Sequence, residues 1–170
     1  VTPPSGLVNW WPGEASANDI VGGANGMLQN GTTFAAGKVN QAFSFDGVND
    51  SVSLGNRAGN FGTNDFTVDF WIKSTASTYE SVIEKWPTCG FSSMWAIRIR
   101  GPGFWGAAGR VEAFMSSDTA GNELNSIFSG RVINDGVFHH DALARQATNL
   151  SLYIDGAFEV QGSTPNVTSI

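Results

Sequence analysis

From Asp65 to Ser74 the chain reads Asp-Phe-Thr-Val-Asp-Phe-Trp-Ile-Lys-Ser. Phe66, Val68, Phe70 and Ile72 alternate with Thr67, Asp69, Trp71 and Lys73. Alternation of this kind marks a half-buried β-strand, whereas a helix would scatter the four apolar side chains around its circumference. The turn formers Asn64-Asp65 and Ser74-Thr75 mark both ends. The stretch predicts the central strand of an all-β domain, with Phe66, Val68 and Phe70 in the core.

Other segments repeat the pattern. Leu7–Pro12 predicts a short strand that Pro12 confines to an edge or end. Gly26–Gln29 predicts another, closed by the Asn30-Gly31 turn. Gln41–Asp46 and Ser51–Leu54 predict a hairpin across Gly47–Asp50, with Phe43 and Phe45 on one buried face. Further strands are predicted at Glu80–Trp86, Met94–Arg100, Arg110–Met115, Phe138–Arg145 and Leu150–Ile154. Ile97, Leu150 and Leu152 are expected in the core. Asp155-Gly156 signals a hairpin answered by Ala157–Gln161. Ser116–Asn125 is polar and predicts a loop. With 21 glycines in 170 residues and only 14% charged side chains, the chain suits many short strands and turns. Its length suffices for one sandwich. It shows no helix, repeat or second domain.

The net charge of −6 argues against nucleic acid, which needs a basic patch. It suits an extracellular protein or one that handles cations. No apolar run approaches the ~18 residues of a membrane span. Val1–Gly6 lacks the basic start and apolar middle of a secretory signal, and suggests a linker or a processed N-terminus. Cys89 is the single cysteine, so it is a free thiol or its partner lies outside this chain.

Three groups of residues carry a family resemblance. The first is Leu7–Glu14, Asn18–Gly23 and Phe43–Asp50. The second is Phe66–Ile72. The third is Asp135–His140 with Leu150–Gly156. In this order they resemble the laminin-G-like group of the concanavalin A-like lectin/glucanase jelly rolls, over nearly the whole chain. The resemblance implies a two-sheet antiparallel jelly-roll sandwich over residues 7–170, after residues 1–6 as linker. It also implies that closing strands beside Leu7–Trp11 belong to the rest of the same protein or to a strand-donating neighbour chain. Asp141 stands where such relatives tend to carry an apolar residue. A buried carboxylate there is costly unless paired, and His139 shares its face.

Glycosidases on such a sandwich use two placed carboxylates. No Glu-x-Asp-x-Glu run exists here, and Glu84-Lys85 looks like a solvated edge, so no catalytic residue is assigned. Neighbouring His139 and His140 point to opposite faces. Asn18-Asp19, Asn25-Gly26 and Asn49-Asp50 gather oxygen donors in two loops. Asp19, Asn25 and Asp50 are therefore the candidate ligands of a structural calcium. The competing reading is that these side chains fix turns through Asx hydrogen bonds. Trp10 and Trp71 are expected in the core. Trp86, Trp95 and Trp105 lie around the loops at Cys89 and Gly101 and are the candidate stacking platforms for a ligand. Together these features predict a non-catalytic extracellular or cell-surface module that binds a glycan or protein. The alternative is a structural module of a cell-surface assembly joined through sheet edges.

Overall fold

The computed structural model describes residues 3–86, 93–103, 108–116, 125–164 and 170. The chain divides into two compact units, Val1–Asn60 and Phe61–Ile170.

The first unit holds four short strands: β1 (Met27–Gln29), β2 (Thr33–Ala36), β3 (Gln41–Ser44) and β4 (Ser51–Ser53). β1 pairs antiparallel with β4, and β2 with β3. The expected hairpin of β3 with β4 is therefore corrected. β3 folds back on β2 instead, through a turn in which Gly37 N–H donates to Asn40 O and Asn40 takes a φ of 48°. Thr-Phe-Ala-Ala carries only one large apolar side chain, which hid β2 from the alternation rule. The segment after β3 closes as a loop: Asp46 accepts from Val48 N–H, and Asp50 accepts from Asp46 N–H.

Leu7–Trp11 forms no strand. Its hydrogen bonds go to the following loop, where Trp10 N–H donates to Asp19 and Trp10 O accepts from Ile20 N–H. Phe45 is 52% exposed, against the expectation of a buried face, while Phe43 stacks at a tilt on Phe34. Trp10 is also partly exposed.

The second unit contains β5 (Phe66–Ile72), β6 (Glu80–Lys85), β7 (Met94–Ile99), β8 (Arg110–Ser116), β9 (Asn125–Val132), β10 (His139–Gln146), β11 (Asn149–Ile154) and β12 (Ala157–Ser163). They make two four-stranded antiparallel sheets, ordered β12-β11-β10-β5 and β6-β7-β8-β9. One apolar cluster joins their facing sides. Ile97, Ile99, Val111, Met115 and Ile127 come from one sheet, and Leu143, Leu150, Leu152 and Ile154 from the other. Phe66, Val68, Phe70 and Ile72 of β5 pack against it. The all-β sandwich expected from the alternation is present, and β5 alternates between half-buried and exposed residues along its length.

Two expectations change. Among the described strands β5 pairs only with β10, so it ends its sheet rather than centring it. Alternation reports one buried face and carries no information about lateral neighbours. β9 was not foreseen, because Ser129 and Gly130 interrupt its pattern. Ser129 is nonetheless fully buried, where its hydroxyl accepts from Val111 N–H and donates to Arg131 O. The Asp155-Gly156 turn forms as expected, with φ of 52° and 75° at the two residues, the hand that suits a two-residue hairpin.

Asp141 lies on the inner face, between Phe70 of β5 and Ile154 of β11, and is 1% exposed. Neither carboxylate oxygen has a hydrogen-bond partner. His139 does not supply one. Its ring nitrogens face Asp155 at 2.8 Å and Asp135 at 3.2 Å. Burial pushes the Asp141 carboxyl up to about 7. His139 is raised chiefly by its bond to Asp155, and Asp155 is lowered by the same bond.

Candidate functional site

β7 and β8 set the site by their parity. On β7, Trp95, Ile97 and Ile99 face the core, so Met94, Ala96 and Arg98 face outward. Arg100, just past the strand, continues that row. On β8, Val111, Ala113 and Met115 face inward, and Arg110, Glu112, Phe114 and Ser116 outward. The register sets Arg98 opposite Glu112 and Ala96 opposite Phe114. Glu112 stands opposite Phe128 of β9. Arg98, Arg100 and Glu112 thus lie side by side on the sheet face away from the main core, next to a second buried cluster of Met94, Ala96 and Phe114.

A chain of polar contacts crosses this face. Glu84 of β6 pairs with Arg98 at 3.0 Å. Arg98 donates to the Tyr79 hydroxyl at 2.7 Å, and that hydroxyl donates to Glu112 at 3.3 Å. Glu112 in turn pairs with Arg100 at 3.1 Å. Aromatic rings clamp the guanidiniums. Arg98 lies 4.5 Å from the Phe114 ring centre, 5.4 Å from Tyr79 and 5.7 Å from Trp86. Arg100 lies 5.0 Å from Tyr79 and 5.8 Å from Phe128. Cation–π contact strengthens as the pair is desolvated, and both arginines are largely buried. Gly101 lets the chain pass close behind Tyr79, since a Cβ there would stand 2.7 Å from Tyr79 N. The solvent-facing parts are Tyr79, 45% exposed, and Trp86, 43% exposed. Two half-exposed rings over a rigid charged floor can stack on an apolar ring face while the polar groups bond its hydroxyls.

Of the three expected platforms, Trp86 stands on this face. Trp95 is corrected: it is 4% exposed and packs in the core against Phe61. Its alternation with Ile97 and Ile99 already placed it on the apolar side. Trp105 and Cys89 lie outside the described residues. Trp71, expected in the core, stands 48% exposed on the outer face of the other sheet, tilted against the His140 ring. Tyr79, Arg98, Arg100 and Glu112 were not singled out as site residues. The signal was available in the charged half of the β7 and β8 alternation, which a search for tryptophans overlooks.

The expected calcium ligands lie in the first unit. Asp19 is 6% exposed. One carboxylate oxygen accepts from the N–H groups of Trp10, Val21 and Gly22. The other accepts from the Asn9 amide and Ala24 N–H. Burial pushes this carboxyl up. The bonds from Trp10, Asn9, Ala24 and Gly22 outweigh that and hold it well below the usual carboxylate range. Asn25 spends its side-chain oxygen on Asp19 N–H. A carboxylate ringed by N–H donors presents no free lone pairs to a hard cation, so Asp19 does not fit calcium, while Asn25 is drawn into the same hydrogen-bonded ring. At Asp50, one oxygen accepts from Asp46 N–H and the other is buried without a partner. Among the described residues no three His, Cys, Asp or Glu side chains gather to hold a metal ion.

The comparisons with known proteins agree with this architecture. The laminin-G-type family model described as Concanavalin A-like lectin/glucanases superfamily matches residues 46–169. No curated protein sequence matches the chain. Domain 4 of AbnA, a GH43 extracellular arabinanase from Geobacillus stearothermophilus solved in complex with arabinotriose, superposes with a TM-score of 0.64 at 14% identity, covering 91% of this chain and 75% of its own. An S-layer domain-containing protein from Clostridium thermocellum superposes with a TM-score of 0.57 at 22% identity, covering 95% of this chain and 73% of its own. At such identities the likeness speaks for the fold alone. With the sandwich built from its own strands and the family match spanning most of its length, the chain belongs to the concanavalin A-like lectin/glucanases superfamily.

Proposed function

We propose that this chain is a non-catalytic, extracellular binding module that takes a glycan on the outer face of β6–β9. The observation that carries the reading is the pair of half-exposed rings, Tyr79 and Trp86, set around the Arg98 guanidinium. Aromatic faces supply stacking area at small entropic cost, and a fixed charged floor supplies direction. A lectin/glucanase family and an arabinanase domain solved with arabinotriose support it. The carboxylates on this face support binding over hydrolysis. Glu84 and Glu112 each pair with a guanidinium, whereas a glycosidase acid needs a setting that keeps it protonated. Secretion is supported by the extracellular arabinanase and S-layer neighbours. Among the described residues no helix is long and apolar enough to cross a membrane.

The test is affinity electrophoresis and calorimetry against soluble polysaccharides, with arabinotriose as the first oligosaccharide. Trp86→Ala and Tyr79→Phe should each weaken binding, Trp86→Ala by about tenfold, the scale of a lost stacking contact, with melting little changed in Trp86→Ala and lowered in Tyr79→Phe, which loses the bridge between Arg98 and Glu112. Retained affinity in both variants would remove the site from this face. The S-layer neighbour favours a second reading, a structural module of a surface assembly. Concentration-dependent mass in solution without glycan binding would select it.

A further inference from the structure

Among the described residues, the charges on the outer face of β6–β9 do not cancel. Glu84 is used by Arg98, and Glu112 by Arg100. Arg110 is the third arginine of the face, and among the described residues it makes no ion pair; its Nε is buried without a partner. Its position adds to the cost. One step past the Ile99–Val111 pair, Arg100 N–H donates to Arg110 O, so the two arginines are neighbours across the strands on the same face. Like charges at such positions destabilise a sheet. The whole chain is acidic, with a net charge of −6. An excess of positive charge among the described residues of one sheet face is therefore not a by-product of composition.

Resting on the glycan reading, we infer that the ligand of this face carries a carboxylate: it is a uronic-acid-containing glycan, held at Arg110 and Arg100. The guanidinium fork matches a carboxylate with two parallel N–H donors, which an ammonium cannot do. Tyr79, in contact with both Glu112 and Arg100, sets a ring beside that subsite for the sugar face. Arg100 is already balanced by Glu112, so a bound carboxylate chiefly neutralises Arg110.

The experiment compares polygalacturonate, a neutral arabinan and a sulfated glycosaminoglycan on the full chain and on Arg110→Gln and Arg110→Lys. Polygalacturonate is expected to bind most tightly and to weaken as salt is raised. Arg110→Gln should lose about tenfold or more of that affinity, the scale of one charge-assisted hydrogen bond. It should melt no lower than the parent, because the repulsion is gone. Arg110→Lys should fall between the two, keeping the charge without the fork. Unchanged polygalacturonate affinity in Arg110→Gln would overturn the assignment, and so would a preference for the sulfated chain. Binding of arabinan alone would also overturn it while leaving the glycan reading in place. Binding of none of the three would remove both.

Discussion

Asp141 makes the stability of the second unit depend on pH in a way that a single substitution can expose. Its carboxyl sits between Phe70 and Ile154, unpartnered and 1% exposed. Burial raises it from an ordinary 3.8 to about 7. The folded state therefore holds the proton more tightly than the unfolded state does. The stability this represents is fully present below the unfolded value near 3.8 and is lost as pH rises through the folded value near 7. That interval of about three pH units, at about 1.36 kcal/mol each, amounts to about 4 kcal/mol. The charged groups that bear on Asp141 are His139 and His140 of β10, Asp155 after β11 and Arg131 of β9. His139 is raised too, so its contribution also fades with rising pH. Comparing variant with parent removes most of that background.

Asp141→Asn keeps the shape of the protonated acid and cannot ionise. Urea unfolding, followed by the buried Trp95, should give nearly equal stabilities for parent and variant at pH 3.5. At pH 8 the variant should be more stable by about 4 kcal/mol. Asp141→Leu should show the same pH dependence and gain about 1–3 kcal/mol more at every pH, because no polar group is then left unpaired. Parallel profiles, with the parent–variant difference changing by less than about 1 kcal/mol across this range, would refute the reasoning. They would mean that the carboxylate finds water or a partner.

Asp19→Ala leaves five N–H donors without their acceptor, one of them buried (Ala24) and four part-buried, and should destabilise the first unit by about 2–4 kcal/mol, ~1–3 for the buried donor and a fraction of that for each of the others. Trp11, whose indole N–H donates to Ala24 O, is the local reporter, and a chelator should move neither melting curve. Trp95→Ala should cost about 3–5 kcal/mol as a core truncation, whereas Trp86→Ala should cost little stability and be read in glycan affinity. Gly101→Ala should lower affinity by pushing back the Tyr79 backbone, measured by calorimetry on a variant shown to be folded. A full-affinity Gly101→Ala would detach Tyr79 from the site.

How far the sequence could be read depends on what each signal encodes. Alternation of residue type located β5, β7, β8, β10 and β11; β5 and β10 bury one face more than the other, whereas β7 and β8 are buried on both, and burial is a property of single strands. Pairing is a property of two strands, and the β3–β4 hairpin failed for that reason. Gly47–Asp50 looks like a hairpin turn, but Asp46 and Asp50 tie it into a wider loop, while the less conspicuous Gly37–Asn40 makes the tight turn. β9 escaped because buried Ser129 looks polar in sequence and acts as a backbone partner in the fold.

The same distinction separates the two predicted sites. Asp19 looked like a metal ligand because an Asp between Asn and Gly residues is a good oxygen donor. The local sequence also contained the answer that won, since glycine-rich loops turn N–H groups inward as readily as carbonyls. Five donors reached the carboxylate first. On the outer face of β6–β9 the logic runs the other way. Arg98, Glu112 and Arg110 are unremarkable one at a time, and each looks like the solvated half of an amphipathic strand. Only the register makes them a site, by bringing Arg98 against Glu112 and Arg100 beside Arg110. A solvated face has no need of rings closed over its guanidiniums, and it avoids placing two cations side by side. Where a sheet does both, a charge with no ion-pair partner among the described residues is the part of the sequence that the fold leaves unexplained, and the proposed ligand of opposite sign would supply the explanation.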